Sequence, residues 1–440
     1  MFSNNLIAGA AGQAGGDFYP VSIDQSLRFN DNDSAYLSRT FSAGEAKTFT
    51  LSFWLKRSNL TSPYIFTTTS GAGNTAMYLY FSADKLTYWD FRQGTNGVVL
   101  QTNAVFRDSS AWYHIVLSVD TTQVTPADRA KLYINGEEPS YGTATYQNQN
   151  EGSYVNGAIT HYISGPSGLL DGYLAEVHFT DGTAYDADAF GEFKSGVWVA
   201  KSPSVTYGTN GFYLDFANSA DIGNDVSGEG NDWTPNNFSA YDVVPDSPTN
   251  NFCTLNPLSK GSGVTLSQGN LKNSTGTSGR NCFGTIQITS GAFYWESLVE
   301  NIGSGNDYGI FTQPDSSAQV RYNETGLVST TGLSGVSGTG TFASFTTGDI
   351  IGVAYDADSR ECKLFKNGTL LTTVSWTNDV ELSPYLQSHS GSLVANFGQD
   401  STFAGNETVG GNSDANGIGD FKYTPPTGYL ALSTANLPEP

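Results

Sequence analysis

The stretch Trp112–Asp120, with the sequence WYHIVLSVD, is followed after a polar loop by Ala130–Gly136, AKLYING. The chain repeats this plan at Asp349–Asp356, DIIGVAYD, and Cys362–Gly368, CKLFKNG. In both copies an apolar strand ends on an aspartate, and the return strand ends on an Asn-Gly pair. Asn-Gly between apolar runs predicts a hairpin, because a type I′ turn needs positive φ at both central residues. The residues around the two copies differ, so we interpret them as one hairpin solution used in two different β domains.

The composition favours short strands joined by turns. The 440 residues include 50 Gly and 16 Pro, and 38% of them are hydrophobic. Chain length gives a prior of roughly three domains, and β-sandwiches often run larger, so two large β domains fit. Strict alternation in Phe49–Lys56, FTLSFWLK, predicts a half-buried strand. We therefore predict an all-β chain with two antiparallel β-sandwich domains of jelly-roll type in tandem.

The charge balance excludes some classes of partner. The chain has 20 basic and 42 acidic residues, a formal net charge of −22, which repels nucleic-acid phosphates and anionic membranes. We expect no nucleic-acid partner, and no apolar run approaches the ~20 residues that membrane insertion needs. Cys253, Cys282 and Cys362 are an odd number without CxxC spacing, so neither a zinc site nor a disulfide framework is expected.

Composition also divides the chain. Residues 1–16 are rich in Gly and Ala, lack the basic start of a signal peptide and predict a flexible N-terminal arm. Residues 217–257 are rich in Asn, Asp, Gly and Pro, as in GNDWTPNNF and DVVPDSPTN, which favours a semi-rigid linker. The two predicted sandwiches are then residues 17–216 and 258–403, and residues 404–440 form a C-terminal tail.

Three motifs give the first domain a family resemblance. The FTLSFWLK strand, the WYHIVLSVD and KLYING pair, and the segment LDGYLAEVHFTDGTAY at Leu170–Tyr185 occur in this order. Together they resemble a laminin G-like domain, a β-sandwich of the concanavalin A type. The resemblance covers about Leu27 to Phe216.

The second domain resembles a different family. The strings YWE, YGI, GDIIGVAYD, KNG, SPYLQ and NFGQ follow one another between residues 262 and 403. This order is similar to that of a SPRY domain, the SPRY/B30.2 β-sandwich. A Gly- and Ser-rich insertion at residues 325–341 departs from the family pattern.

The whole arrangement of arm, two sandwiches, linker and a PPTGYLALSTANLPEP ending resembles virion structural proteins of tailed bacteriophages. The resemblance implies a non-enzymatic tail-fibre or appendage component that binds a host-surface glycan or protein through β-sandwich loops. It implies assembly in the host cytoplasm, exposure on the virion and contacts with other virion proteins. Fibre proteins are commonly trimeric, so a homo-oligomer is a candidate state, although no heptad stretch would drive it. The alternative is a capsid decoration or structural adaptor protein.

A sugar-cleaving enzyme is the less favoured alternative. That chemistry needs two carboxylates facing one cleft, and the alternating signature Glu-x-Asp-x-x-Glu is absent. The nearest pair, Glu296 and Glu300, is four residues apart on one strand, so the two backbones are roughly 13 Å apart. The four histidines are scattered without a metal-binding spacing. We therefore predict no catalytic residues and no required cofactor.

Calcium is the one candidate ion, because laminin G-like domains often hold it at a loop rim. Hard oxygen ligands are what the ion needs. An ordinary turn-forming role is the alternative for each aspartate. The candidate ligands are Asp31 and Asp33, or Asp171, Asp181, Asp186 and Asp188.

Aromatic residues are the candidate ligand-binding groups. Tyr78, Tyr80 and Trp89 occupy alternate positions of a predicted hairpin, and rings on a sheet face are a way for an acidic protein to hold sugars. The alternative, which we favour, is that these rings belong to the core. In the second domain the SPRY resemblance implies a ligand surface made by loops. Position there suggests Asp307, Tyr308, Tyr322 and Trp376.

Overall fold

The computed structural model describes residues 18–69, 76–91, 97–276, 280–303, 305–313 and 315–437, so the predicted arm lies outside the described residues. Its regular elements are β-strands and short 3₁₀-helices, and the described ranges contain no α-helix. The predicted all-β fold class with antiparallel β-sandwiches is confirmed. No helix within these ranges is long and apolar enough to cross a membrane. The 3₁₀-helices are Asp31–Asp33, Pro126–Asp128, Ala187–Ala189, Ala240–Asp242 and Thr434–Asn436.

The chain divides into two compact units, a first unit of Gly16–Thr249 and a second unit that begins at Asn250. The first unit contains the strands β1 Ser26–Phe29, β2 Tyr36–Thr40, β3 Thr48–Arg57, β4 Tyr64–Thr69, β5 Ala76–Ser82, β6 Lys85–Phe91, β7 Val98–Thr102, β8 Trp112–Asp120, β9 Ala130–Ile134, β10 Tyr141–Thr145, β11 Thr160–Ile163, β12 Gly172–Asp181, β13 Gly191–Lys194, β14 Val197–Ala200, β15 Phe212–Leu214, β16 Thr234–Asn236 and β17 Val243–Val244. Sheet I has the order β17-β1-β12-β3-β8-β9, with β15 also paired to β12. Sheet II has the order β10-β7-β6-β5-β4-β11-β2-β16.

Sheets I and II enclose one hydrophobic core. Phe49, Leu51 and Phe53 of β3 face Met77 and the other inward residues of sheet II in a single buried cluster. These residues lie on the core side as the alternation predicts, but the prediction that β3 is half-buried is wrong, because every residue from Phe49 to Arg57 is buried and the outer face is covered as well. Burial of such side chains contributes about 1.5–3 kcal/mol each, so this core is the main stabilising term of the first unit.

The outer face of sheet I is covered by the chain itself. Trp198 of the β13–β14 hairpin packs with Trp54 and Trp112 in a second apolar cluster. The Trp198 Nε1–H donates to Nδ1 of His114 at 3.1 Å, and burial lowers the pKa of His114 to about 3. His114 is therefore a neutral packing residue of this layer.

Most of the predicted linker lies within the first unit. Its residues up to Thr249 belong to that unit. Here β16 pairs with β2, and β17 pairs with β1. Trp233 lies in the core with 3% of its surface exposed. The part of the Asn-, Asp- and Pro-rich segment up to Thr249 therefore completes the first sandwich.

Two ion pairs attach this segment to the outer side of sheet I. Asp242 accepts a hydrogen bond from the Arg28 guanidinium at 3.3 Å. The Lys56 Nζ lies 2.7 Å from Asp246 Oδ2, and both side chains are buried. The indole N–H of Trp112 donates to the other oxygen of Asp246 at 3.2 Å. We call the group of Lys56, Asp246 and Trp112 the clasp.

The second unit is also a two-sheet sandwich. Its three cysteines are buried. Its strands are β18 Leu255–Lys260, β19 Val264–Ser267, β20 Lys272–Thr275, β21 Arg280–Gly284, β22 Ala292–Asn301, β23 Asp307–Phe311, β24 Gln319–Asn323, β25 Leu327–Thr331, β26 Gly340–Thr341, β27 Ile350–Asp356, β28 Glu361–Lys366, β29 Thr369–Ser375, β30 Ser383–Ser388, β31 Ser392–Asn396 and β32 Leu430–Ala431. Sheet III has the order β18-β21-β30-β23-β24-β25-β26. Sheet IV has the order β19-β20-β31-β22-β27-β28-β29, with β32 also paired to β22.

The predicted C-terminal tail is part of the second unit rather than a free extension. Strand β32 pairs in parallel with β22. Phe421 and Ala431 are fully buried in a cluster with Tyr294 of β22 and Ala354 of β27. The tail therefore forms a third layer on the outer face of sheet IV.

The two Asn-Gly pairs of the repeated plan both form turns, but the predicted hairpin is confirmed only at Asn367-Gly368, where β28 pairs with β29. At Asn135-Gly136 the flanking strands β9 and β10 lie in different sheets. The φ angle is 49° at Asn135 and 84° at Gly136, and 49° at Asn367 and 74° at Gly368, as a type I′ turn requires. In each turn the asparagine Oδ1 accepts a hydrogen bond of 2.8 Å from a backbone N–H of the preceding strand segment. The backbone N–H of the asparagine donates to the carbonyl of that same residue. The asparagine side chain thus replaces one rung of the backbone ladder in both units.

Candidate functional site

The outer face of sheet II carries a set of half-buried aromatic rings. Along β5, Met77, Leu79 and Phe81 point into the core and are fully buried, so the residues between them point outward. Strand register extends this outward face over β2, β4, β6 and β11. The aromatic residues at these outward positions, which we call the aromatic face, are Tyr36, Tyr64, Tyr78, Tyr80, Trp89, Phe91 and Tyr162.

Four of the rings form a continuous stack across three strands. The Phe91 and Trp89 ring centroids are 5.5 Å apart with planes 5° apart. Trp89 and Tyr78 follow at 5.4 Å and 24°, and Tyr78 and Tyr64 at 4.8 Å and 33°. The first two pairs are stacked and the third is tilted, and offset or tilted contacts between aromatic rings are favourable. The stack is therefore held in place by its own members.

Phenol groups gather beside the stack. The Tyr80 ring meets the Tyr64 ring at 5.7 Å and 74°. The pKa values of Tyr78 and Tyr80 lie above the ordinary value, first because both rings are partly buried and second because the Tyr64 phenol is close to them. Tyr36 and Tyr162 form a further pair on β2 and β11 at 6.0 Å. The face thus combines apolar ring surface with hydroxyl groups that donate and accept hydrogen bonds.

The aromatic face has almost no charge. The other described outward positions of sheet II hold Thr, Ser, Asn, Gln, Ala and Val, together with a single charged residue, Lys85. None of them holds Asp or Glu, although the whole chain contains 42 acidic residues. The negative electrostatic field of the protein therefore comes from acidic residues at other positions.

The structure brings Tyr78, Tyr80 and Trp89 together as candidate ligand-binding groups. They are not members of the core cluster, so the favoured interpretation that they are core residues is wrong. Sequence reasoning missed the other four rings. Phe91 continues the alternation of Trp89 and was readable from the sequence, whereas the other three needed the strand register.

Three of the residues suggested in the second unit are core residues instead. Tyr308, Tyr322 and Trp376 have 1%, 0% and 4% of their surface exposed and lie in the core cluster. They occupy inward positions of a sandwich, so their rings do not reach a loop surface. This corrects the prediction made from their position in the sequence.

Asp307 is buried as well, but at the outer side of sheet III. Its Oδ1 accepts a hydrogen bond of 2.6 Å from Arg321 Nε, and its Oδ2 accepts one of 2.7 Å from Gln387. Burial raises the pKa of Asp307 to about 6, although Arg321 opposes this shift. Arg321 and Gln387 occupy both carboxylate oxygens, which leaves Asp307 a structural role.

The aspartates suggested for calcium do not form the two predicted sets. Asn59 Nδ2 donates to both Asp31 and Asp171 at 3.3 Å. The other four have separate partners or surroundings, and no group of three potential ligands is found among the described residues. Asp33 accepts from Asn30 at 2.7 Å, Asp181 from the backbone of Glu45 and Asn210, and Asp186 from Tyr133 at 2.7 Å, while Asp188 is exposed.

Glu296 and Glu300, the carboxylate pair considered for sugar cleavage, both have structural partners. Glu296 is fully buried and accepts hydrogen bonds of 2.8 Å from the backbone N–H groups of Lys422 and Tyr423. Burial raises the pKa of Glu296 to about 7, against the donors around it. Glu300 accepts from Lys272 Nζ, with 2.6 Å between the closest atoms. Glu296 therefore anchors the tail to sheet IV, and the two carboxylates do not face one cleft.

Comparisons with known proteins agree with this architecture. Residues 29–188 match the model of the Laminin_G_3 family, described as the concanavalin A-like lectin/glucanases superfamily. No curated protein sequence matched the chain.

Similar solved structures include laminin G-like and SPRY domains. The SPRY domain of human HERC1 aligns with 19% identity over 32% of this chain and 96% of that chain, with a TM-score of 0.28. Domains LG4-5 of the mouse laminin alpha1 chain align with 9% identity over 86% and 90% of the two chains, at 0.32. The LG1-3 region of the laminin alpha2 chain aligns with 11% identity over 85% and 62%, at 0.35. The family match assigns residues 29–188 to the laminin G-like, concanavalin A-type lectin fold.

Proposed function

We propose that this chain is a non-enzymatic binding protein that holds a carbohydrate of a host cell surface on the aromatic face. We further propose that it acts as a tail-fibre or other appendage component on the virion of a tailed phage, in contact with other virion proteins. The sequence resemblance of the whole chain supports the virion role. The observation that carries the binding role is the half-exposed stack of Phe91, Trp89, Tyr78 and Tyr64 on an open sheet face.

The chemistry of the face suits a sugar. The C–H groups of a pyranose ring pack against aromatic surface, and its hydroxyl groups need hydrogen-bond partners once water is displaced. The rings supply the first requirement, and the phenol groups of Tyr64, Tyr78 and Tyr80 supply the second. Concanavalin A-like lectins, the superfamily that matches residues 29–188, share this class of ligand by name.

The test is competition for adsorption. The purified chain is added to host cells before the phage that carries it, and free phage is counted. We expect the wild-type chain to reduce adsorption and the variant Trp89→Ala to lose this effect. Phe193→Ala is the matched control, because Phe193 is an aromatic residue of the first unit that is 53% exposed and does not lie on sheet II.

Two outcomes would contradict the proposal. One is a wild-type chain that leaves adsorption unchanged and binds emptied capsids instead, which would favour the capsid decoration alternative. The other is a Trp89→Ala variant that competes as well as the wild type, which would move the binding role away from the aromatic face.

A further inference from the structure

We infer that the ligand of the aromatic face is an extended, uncharged polysaccharide chain that runs across the strands of sheet II. The inference rests on the proposed function and specifies its ligand. It differs from binding of a single sugar, which needs only one or two rings. It also differs from binding of an anionic glycan, which needs several cationic side chains.

The extent of the face argues for a chain rather than a single sugar. Its rings lie on β6, β5, β4, β11 and β2, which are five consecutive strands of sheet II. Neighbouring strands are about 4.8 Å apart, so the rings extend over roughly 19 Å. A pyranose unit in an extended chain advances by about the same spacing as one strand. The face therefore has the length of about four linked sugars.

Strand register fixes the direction of the chain. Trp89 lies opposite Tyr78, Tyr78 lies opposite Thr67, and Thr67 lies opposite Tyr162. These four residues form one row that runs perpendicular to the strands, with aromatic side chains at three of its positions and a threonine between them. A linear ligand that follows this row meets aromatic surface at both ends. It would cross the β-strands and would not enter a loop.

Charge decides which kind of polysaccharide fits. A chain with one carboxylate or sulfate per sugar would meet a single cation, Lys85, among the described outward positions of sheet II, and a protein with a net charge of −22. This field repels a polyanion at long range. A strongly basic partner is equally ill-matched, because no described outward position of sheet II offers a carboxylate. An uncharged polymer experiences neither penalty.

The first experiment is affinity electrophoresis of the full chain in gels that contain dextran, mannan, hydroxyethyl cellulose or polygalacturonate. We expect at least one of the three uncharged polymers to retard the wild-type chain and the anionic polymer to leave it unaffected. Oligosaccharides of two to six units from the retarding polymer are then titrated by calorimetry. The affinity should rise with length up to about four units and then level off.

Variants at the two ends of the row separate a chain from a short ligand. Trp89→Ala should weaken binding of the longest oligosaccharide about tenfold or more, the usual effect of an aromatic anchor. Tyr162→Ala should weaken the longest oligosaccharide by a similar factor and leave the disaccharide unchanged. Phe193→Ala should change neither. Unchanged thermal midpoints confirm that each variant is folded.

The outcomes separate this inference from the proposed function. Retardation by polygalacturonate alone, or affinity already complete with a disaccharide, would overturn the extended neutral chain and leave glycan binding intact. No retardation by any of the uncharged polymers would also overturn the inference. If adsorption competition still depended on Trp89 in that case, the aromatic face would bind a host protein. If competition failed too, the proposed function would fail with it.

Discussion

Replacement of Asp246 by asparagine will remove the carboxylate that the buried ammonium group of Lys56 contacts. In the clasp, Lys56 Nζ lies 2.7 Å from Asp246 Oδ2, and the side chains are 1% and 0% exposed. Asparagine has nearly the same shape and still accepts from the indole of Trp112, which donates to Asp246 at 3.2 Å. The substitution therefore removes the negative charge of Asp246 and retains an acceptor for Trp112.

The expected loss is large for a single residue. Removing one partner of a buried ion pair costs about 3–5 kcal/mol, and we take about 3 kcal/mol because the amide oxygen still accepts a hydrogen bond. For a unit of about 230 residues, 1 kcal/mol shifts the melting midpoint by about 2–4 °C. The thermal transition of the first unit should therefore fall by about 6–12 °C.

The assay is thermal and urea unfolding of the full chain, with hydrogen exchange of residues 240–249 as a local readout. Glu229→Gln is the matched control, since Glu229 is an exposed carboxylate of the same segment. The double variant Lys56→Met/Asp246→Leu should recover most of the lost stability, because it removes both buried charges. A midpoint for Asp246→Asn within 1–2 °C of the wild type would refute the role of the clasp.

Three further outcomes are expected. Because the pKa of Glu296 is raised from 4.5 to about 7 in the folded chain, Glu296 should contribute a loss of roughly 3 kcal/mol of unfolding free energy to the second unit as pH rises from about 4.5 to 7. Asp307 of the same unit, whose pKa is raised to about 6, should add a loss that ends near pH 6. Urea titrations of Glu296→Gln should therefore keep the Asp307 loss and lack the Glu296 loss, above all between pH 6 and 7, and a variant with the wild-type pH profile would contradict this. Gly368→Ala should lower the free energy of unfolding by at least about 2 kcal/mol, because φ is positive and the added Cβ would lie 2.6 Å from the Tyr423 ring. The control Gly348→Ala, with positive φ and no atom within 4 Å, should lower it by only about 1–2 kcal/mol. Equal losses for the two variants would show that the Tyr423 ring moves aside. EDTA should leave both thermal midpoints unchanged, and a fall of several degrees would restore the calcium prediction.

Local patterns in the sequence predicted the fold class well. Alternation in β3 and the Asn-Gly pairs identify strands and turns within a few residues, and the structure confirms both. Such patterns depend only on near neighbours in the chain. They can therefore be recognised in the sequence without knowledge of tertiary contacts.

The prediction of a linker at residues 217–257 was wrong for the opposite reason, because the contacts that bury this segment are distant in the chain. Asp242 and Asp246 sit in a Pro- and Asn-rich segment that is typical of solvated turns. Their burial depends on Arg28 and Lys56, which lie about two hundred residues earlier in the chain. No local pattern contains that information.

The sequence predicted only part of the candidate site. Alternation places Tyr78 and Tyr80 on one face and Leu79 on the other, but it does not say which face is outside. The residues on the Leu79 side of the strand are all apolar, and this pattern indicated that they form the inner face. The position of Tyr162 beside Thr67 required long-range register.

The turns at Asn135-Gly136 and Asn367-Gly368, two of the six Asn-Gly pairs in the chain, also affect its chemical ageing. Asparagine before glycine is the sequence most prone to lose its side-chain amide, because the following backbone nitrogen can attack the side-chain carbonyl with little steric hindrance. In both turns that carbonyl oxygen is held by a strand N–H at 2.8 Å, so the attack requires the turn to open. Deamidation at Asn135 and Asn367 should therefore be slow and follow the opening of these turns, which mass spectrometry of an aged sample can measure.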